Sequence, residues 1–168
     1  NTLWMWVWKY REPILEIFEA VTGNRNHYAM MRPGGVKKDI KEEDIPYLTR
    51  VLDEAERKIE MVTKAALDDP VLAARLKGVG VLTKEDAIKY CAVGPTARAS
   101  GVAIDVRKDD PYAAYDLVEW NVITQEEGDF FAKTVVRLLE CFESVKIIRQ
   151  CLEKLKKVKG DIAIKIKE

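Results

Sequence analysis

Residues 128–155 read GDFFAKTVVRLLECFESVKIIRQCLEKL, and this stretch decides the fold. Phe131, Val135, Leu138, Phe142, Val145, Ile148, Leu152 and Leu155 recur at three- and four-residue steps. That spacing lines side chains along one stripe of an α-helix. Gly128 and Asp129 stand at its head, and Gly160 breaks the pattern beyond its end. The period predicts a long helix whose apolar seam packs as in a helix bundle.

Working outward, a second amphipathic pattern starts near Glu43 or Asp44 and stops at Asp68-Asp69-Pro70. Leu48, Val51, Leu52, Ala55, Ile59, Val62 and Ala66 form its apolar face, opposite Arg50, Asp53, Glu54, Arg57, Lys58 and Lys64. The two long helices are expected to pack antiparallel. A third helix is predicted from Thr2 to Thr22, stopped by Gly23 and kinked near Lys9–Tyr10 by Pro13. Shorter helices are predicted over 71–76 and, capped by Thr83, to about Tyr90. Asn24–Lys41 is rich in turn formers, and Ala92–Trp120 shows no clean period. Leu117–Ile123 reads as a short strand. Ile162, Ile164 and Ile166, alternating with Ala163, Lys165 and Lys167, read as a terminal one. The fold class is mainly α: a long-helix bundle with irregular loops and a small β component, in one domain over 1–168.

Composition narrows the function. At 168 residues the chain can bury a sizeable core. Basic and acidic residues number 28 each, so no net field draws it to nucleic acid. Cys91, Cys141 and Cys151 form no C-x-x-C pair. Cys141 and Cys151 read as core thiols, and the odd count indicates a reducing, cytoplasmic setting. No apolar run reaches the roughly 20 residues of a membrane span. The apolar start, without methionine or basic leader, reads as a chain entered in mid-helix.

No catalytic residue and no metal ligand emerges. His27 is the single histidine, and the two serines, Ser100 and Ser144, sit in no nucleophile elbow. Gly34-Gly35 and Gly78-x-Gly80 lack the following residues of a phosphate loop. A metal site would need acids or histidines where Phe131, Val135 and Leu138 stand.

Three features remain. Trp4 and Trp8 fall on one helix face, suited to a subunit contact or to an apolar cavity wall. Arg32-Pro33-Gly34-Gly35-Val36 lets the backbone approach another group closely. Arg98, among small residues, is set to pair internally or to meet an anion.

Three phrases carry a resemblance. They are Thr22-Gly23-Asn24-Arg25 with Arg32-Pro33-Gly34-Gly35-Val36; Gly94-Pro95-Thr96-Ala97-Arg98-Ala99-Ser100-Gly101 with Asp105-Val106-Arg107 and Asp110-Pro111-Tyr112-Ala113-Ala114-Tyr115-Asp116; and Gly128-Asp129 opening a helix with Arg137, Glu140, Ser144, Ile147-Ile148 and Gln150-Cys151-Leu152. In this order they resemble the large catalytic-core subunit of respiratory complex I and of the energy-converting, membrane-bound nickel–iron hydrogenases. Ala97–Gly101 and Pro111–Tyr115 look more like the hydrogenase branch. The resemblance implies the middle of a larger subunit, without the two cysteine-bearing ends that hold nickel and iron in active hydrogenases.

It also implies that Trp4 and Trp8 wall a substrate cavity, where complex I binds quinone. Arg32, Gly34, Gly35 and Arg98 would support the redox site. Lys9-Tyr10 stand where complex I usually has two acids. The segment itself would bind no cofactor and be inactive alone. The parent is expected on the cytoplasmic face of the cell membrane, partnered by an iron–sulfur subunit and by membrane subunits. It would reduce protons, a quinone or a sulfur compound. The alternative is a non-catalytic scaffold or assembly module that keeps the helical core.

Overall fold

The computed structural model describes residues 2–164. The chain divides into two compact units, Asn1–Lys58 with Arg149–Glu168, and Ile59–Ile148. Within them lie α1 (Thr2–Thr22), β1 (Met31–Arg32), β2 (Gly35–Val36), α2 (Ile45–Asp68), α3 (Pro70–Leu76), α4 (Lys84–Lys89), α5 (Gly94–Arg98), α6 (Val106–Asp109) and α7 (Phe130–Leu155). The mainly helical class with a small β component is what the periodicities predict.

In the first unit α1 stays one helix through Pro13 and ends where the Gly23 amide donates to the Glu19 carbonyl at 2.8 Å. A 3-10 turn over Glu42–Asp44 leads into α2, so the acidic cluster precedes the helix rather than forming its first turn. Ile45 and Leu48 of α2 bury against Leu152 of α7, with Ile17, Val21, Ile40 and Leu155 around them. Further along α2, Asp53 and Glu56 both meet Arg149 at 2.6 Å. Partners on α7 step backwards as α2 advances, so these two stretches run antiparallel. β1 and β2 form a hairpin, and the terminal segment closes on it. Val36 donates to the Ile162 carbonyl and Ile164 donates to the Gly34 carbonyl, each at 2.9 Å. Where a terminal strand was expected, Ile162–Ile164 make only an isolated antiparallel bridge, Ala163 to Gly35, while Lys165, Ile166 and Lys167 lie outside the described residues.

In the second unit, Asp69 caps α3 by accepting from Val71 and Leu72, and Thr83 caps α4 by accepting from Asp86. The stretch 92–120 is more ordered than its sequence predicts. It holds α5, α6 and a 3-10 turn at Tyr115–Leu117. No strand forms over 117–123, because the Asn121 amide donates to the Glu143 carboxylate rather than to a neighbouring strand. One small cluster packs Ala87, Ala97 and Val102; another packs Ala99, Ala132 and Val136. The deepest line of α7 here is therefore Ala132 and Val136, and the larger Phe131, Val135 and Leu138 are only half-buried. Small side chains let the wholly buried Ala99 come close, which bulkier ones would prevent.

The start of α7 is fixed by backbone. Gly128 donates to the Ala99 carbonyl at 2.8 Å and accepts from Leu82 at 3.0 Å. Its φ of 64° is left-handed, and a Cβ there would run into the Leu82 carbonyl oxygen. Asp129 then accepts from Ala132 at 2.7 Å and from Gly78 at 2.8 Å, capping α7 while holding a loop fifty-one residues away. Burial pushes its carboxyl up, but the backbone donors of Ala132, Gly78 and Phe131 outweigh this and leave it below the ordinary value.

Candidate functional site

The first candidate lies on α1, in the first unit. A helix advances 100° per residue, so Trp4, Trp8, Arg11 and Leu15 share one stripe. Leu15 is buried, whereas Trp4 and Trp8 are 64% and 66% exposed. The Arg11 guanidinium lies over the Trp8 ring, 5.4 Å from its centroid. Met5, Trp6 and Val7 are exposed as well, so the first two turns carry apolar side chains all round. Uncovered rings of this size are suited to a contact with further chain, a partner or a ligand. Tyr10 is partly covered, with the Lys58 ammonium 5.2 Å from its ring. Glu12 and Glu19 are both taken by Arg25, whose guanidinium they hold above its ordinary value, Glu12 contributing most.

In the same unit, Arg32 lies exposed on the hairpin. Gly34 and Gly35 at its turn adopt φ of 84° and 153°. A Cβ on Gly34 would meet the Ile164 side chain, and one on Gly35 would meet the Ile162 carbonyl. The group that the paired glycines let approach is therefore the chain's own segment 162–164. The exposed His27 donates its amide to the Asn24 carboxamide at 2.9 Å, a local turn bond.

Arg98 belongs to the second unit and is spent internally. Its Nε donates to Glu140 at 2.6 Å, and Nη1 donates to the Ile104 carbonyl at 3.1 Å and pairs with Asp105 at 3.2 Å. Asp105 is also gripped by Nε and Nη2 of Arg107, at 2.9 and 2.7 Å. The Arg107 hydrogen bond, set against burial, holds the Asp105 carboxyl below its ordinary range. Asp105 in turn raises the Arg107 guanidinium. Arg107 lies 4.6 Å over the Trp120 ring, and Tyr115 packs edge-on to that ring at 6.3 Å. Sequence reasoning set Arg98 to pair internally but did not give Glu140 as the partner, because forty-two residues separate the two. It also missed Arg11, although the i, i+4, i+7 spacing from Trp4 and Trp8 gives it away.

Among the described residues no group of three or more His, Cys, Asp or Glu side chains converges to hold a metal. The residues present therefore do not fit a nickel–iron centre or an iron–sulfur cluster. Among the same residues no helix is long and apolar enough to cross a membrane. Burial and the neighbouring Glu140 push the Cys141 thiol up, away from the reactive thiolate.

Comparison with known proteins gives the family. Residues 1–168 match the family described as respiratory-chain NADH dehydrogenase, 49 Kd subunit. The chain is 36% identical over 166 residues to a NADH-quinone oxidoreductase subunit of Clostridium beijerinckii, covering 99% of this chain and 44% of that one. It is 42% identical over 154 residues to NADH-quinone oxidoreductase subunit 4 of Thermus thermophilus, covering 92% and 38%. A chain in the structure of the membrane-bound sulfane sulfur reductase, an archaeal respiratory membrane complex, superposes with a TM-score of 0.89 at 31% identity. That match covers 96% of this chain and 43% of the other. The chain thus spans about two fifths of the length of the relatives it matches. A match of this extent, on a backbone this similar, makes the chain a member of the 49 Kd subunit family of the respiratory-chain NADH dehydrogenase.

Proposed function

We propose that this chain is the central helical part of the large subunit of a membrane-attached respiratory oxidoreductase. Electrons arrive from an iron–sulfur partner subunit. They reduce protons, a quinone or a sulfur compound in a pocket between the two subunits. Membrane subunits of the same complex couple the reaction to ion pumping, and the subunit sits on the cytoplasmic face. The observation that supports this reading is the exposed Trp4/Trp8 face, which by resemblance would stand where complex I walls its quinone cavity. Flat rings suit a planar or polarisable acceptor. Arg98 and the 32–36 hairpin hold backbone in place and take no part in electron transfer. The family's nickel–iron or quinone chemistry, where present, is supplied by groups that this segment does not ligate.

The test uses the complex purified from its native membranes. An iron–sulfur subunit should co-purify, and reduced methyl viologen should pass electrons through it to an acceptor. Trp4→Ala and Trp8→Ala should raise the acceptor KM about tenfold. A complex that assembles around this chain yet reduces no acceptor establishes the scaffold alternative instead.

A further inference from the structure

We infer that the apolar platform at the head of α7 is a docking surface for an acidic segment of a partner polypeptide, one that seats a bulky apolar side chain between carboxylates. The platform lies within the second unit. Val79, Val81 and Phe130 are each about half exposed. They stand together because the two strings of backbone are stitched to each other there. The Phe130 amide donates to the Val79 carbonyl and the Leu82 amide to the Gly128 carbonyl, each at 3.0 Å. Gly80, between the two valines, has a φ of 63°, and a Cβ on it would run into the Phe130 ring. The ring therefore rests against the backbone at Gly80. Lys133 completes the clamp: its ammonium donates to the Gly80 carbonyl at 2.7 Å and lies 5.0 Å from the centroid of the Phe130 ring.

These apolar groups are held in place before anything binds, so docking on them orders little chain. A fixed aromatic ring is the kind of anchor that dominates protein interfaces. The charge around it selects the occupant. The whole chain balances 28 basic against 28 acidic residues, but segments 75–84 and 127–137, which build the platform, hold Arg75, Lys77, Lys84, Lys133 and Arg137 against Glu127 and Asp129. Asp129 is buried and accepts from the backbone of Ala132 and Gly78. Of the acids that flank these segments, Asp86 accepts from the Thr83 hydroxyl and Glu126 lies against Gly101. Lys77 lies 4.8 Å over the Phe131 ring, so cations stand beside both phenylalanines. An apolar centre with a basic rim repels basic surfaces and favours an acidic one. A bilayer is a poorer occupant, because side chains clamped against their own backbone cannot sink into the acyl boundary as an interfacial helix does.

The inference goes beyond the redox role and is tested without it. The chain is isolated from its native cells at low salt, with the subunits it carries, and treated with a carbodiimide, which joins lysine amines to carboxylates in contact. Mass spectrometry should find links from Lys77, Lys84 or Lys133 to Asp or Glu of a different polypeptide. Val81→Glu puts a like charge at the centre of the platform and should cut the yield of these links about tenfold. The internal link between Lys156 and Glu153, 2.7 Å apart in the first unit, should keep its yield. Lys84→Glu and high salt should each lower the links from Lys77 and Lys133. Thermal melting confirms that the variants fold, and Val81→Ser replaces Val81→Glu if the latter melts early. No link from these lysines, links only to a second copy of this chain, or an unchanged yield in the Val81 variant overturns the inference. So does binding to phosphatidylglycerol vesicles without any protein link, which would make the face a lipid contact. Acceptor reduction is measured separately, so the redox reading can fail while this one stands.

Discussion

Arg98 Nε and Glu140 Oε1 meet at 2.6 Å and tie α5 to α7 inside the second unit. Asp105 stands on the same guanidinium, and the Arg98 and Asp105 side chains are both almost wholly buried. Removing Arg98 leaves Glu140 without its cation and Asp105 with Arg107 alone, and both losses in such a place are costly. Arg98→Ala should destabilise the chain by about 3–5 kcal/mol. Glu140 is less buried, and its amide replacement still accepts a hydrogen bond, so Glu140→Gln should cost about 1–2 kcal/mol. Urea unfolding followed by circular dichroism separates the two. Equal costs would show that the buried pair with Asp105 contributes little.

The same cluster gives a pH dependence. The Asp105 carboxyl is held low, first by the Arg107 side chain and then by the Arg107 amide and the two positive charges. A carboxyl depressed in the folded state adds stability above its unfolded value of roughly 3.9. That contribution is lost as pH falls through the folded value. Wild type should therefore weaken as pH drops below about 4, and Asp105→Asn should show a flatter loss over that window. Urea midpoints measured from neutral pH down into the acid range decide it, and parallel curves for the two proteins would refute the assignment.

Backbone crowding at the head of α7 predicts a large effect from one methyl group. Gly128→Ala places a Cβ against the Leu82 carbonyl at a left-handed φ. Strain and displacement together should cost more than about 2 kcal/mol. Thermal melting reads this directly. A melting temperature within a degree or so of wild type would mean that Leu82 moves aside freely.

Arg149 offers the contrast to Arg98. It too bridges two carboxylates, Asp53 and Glu56, at 2.6 Å. All three side chains are substantially exposed, however, and water screens the pairs. Glu56, then Asp53, raise the guanidinium above its ordinary value, yet Arg149→Ala should cost only about 0.5 kcal/mol. That cost should shrink in high salt. A salt-independent loss of several kcal/mol in urea unfolding would contradict it.

The lesson of these contrasts is about what local sequence can encode. Helical period, the Thr83 cap, Gly23 as a stop and Gly128-Asp129 at the head of α7 are local facts, because helix bonds link residues four apart. They determined the mainly α class, the bounds of α1, α2 and α7 within a few residues, and the stripe on which Trp4 and Trp8 lie. Three phrases in order also sufficed to place the family. Tertiary structure alone decided which face of α7 goes deepest, since Ala132 and Val136 win over larger neighbours only because Ala99 packs against them. It alone turned Ala92–Trp120 into short helices around Asp105, closed the 32–36 hairpin on Ile162–Ile164, and matched Arg98 with Glu140. Each of these joins residues distant in sequence through packing or charge, and no local period records such a pairing.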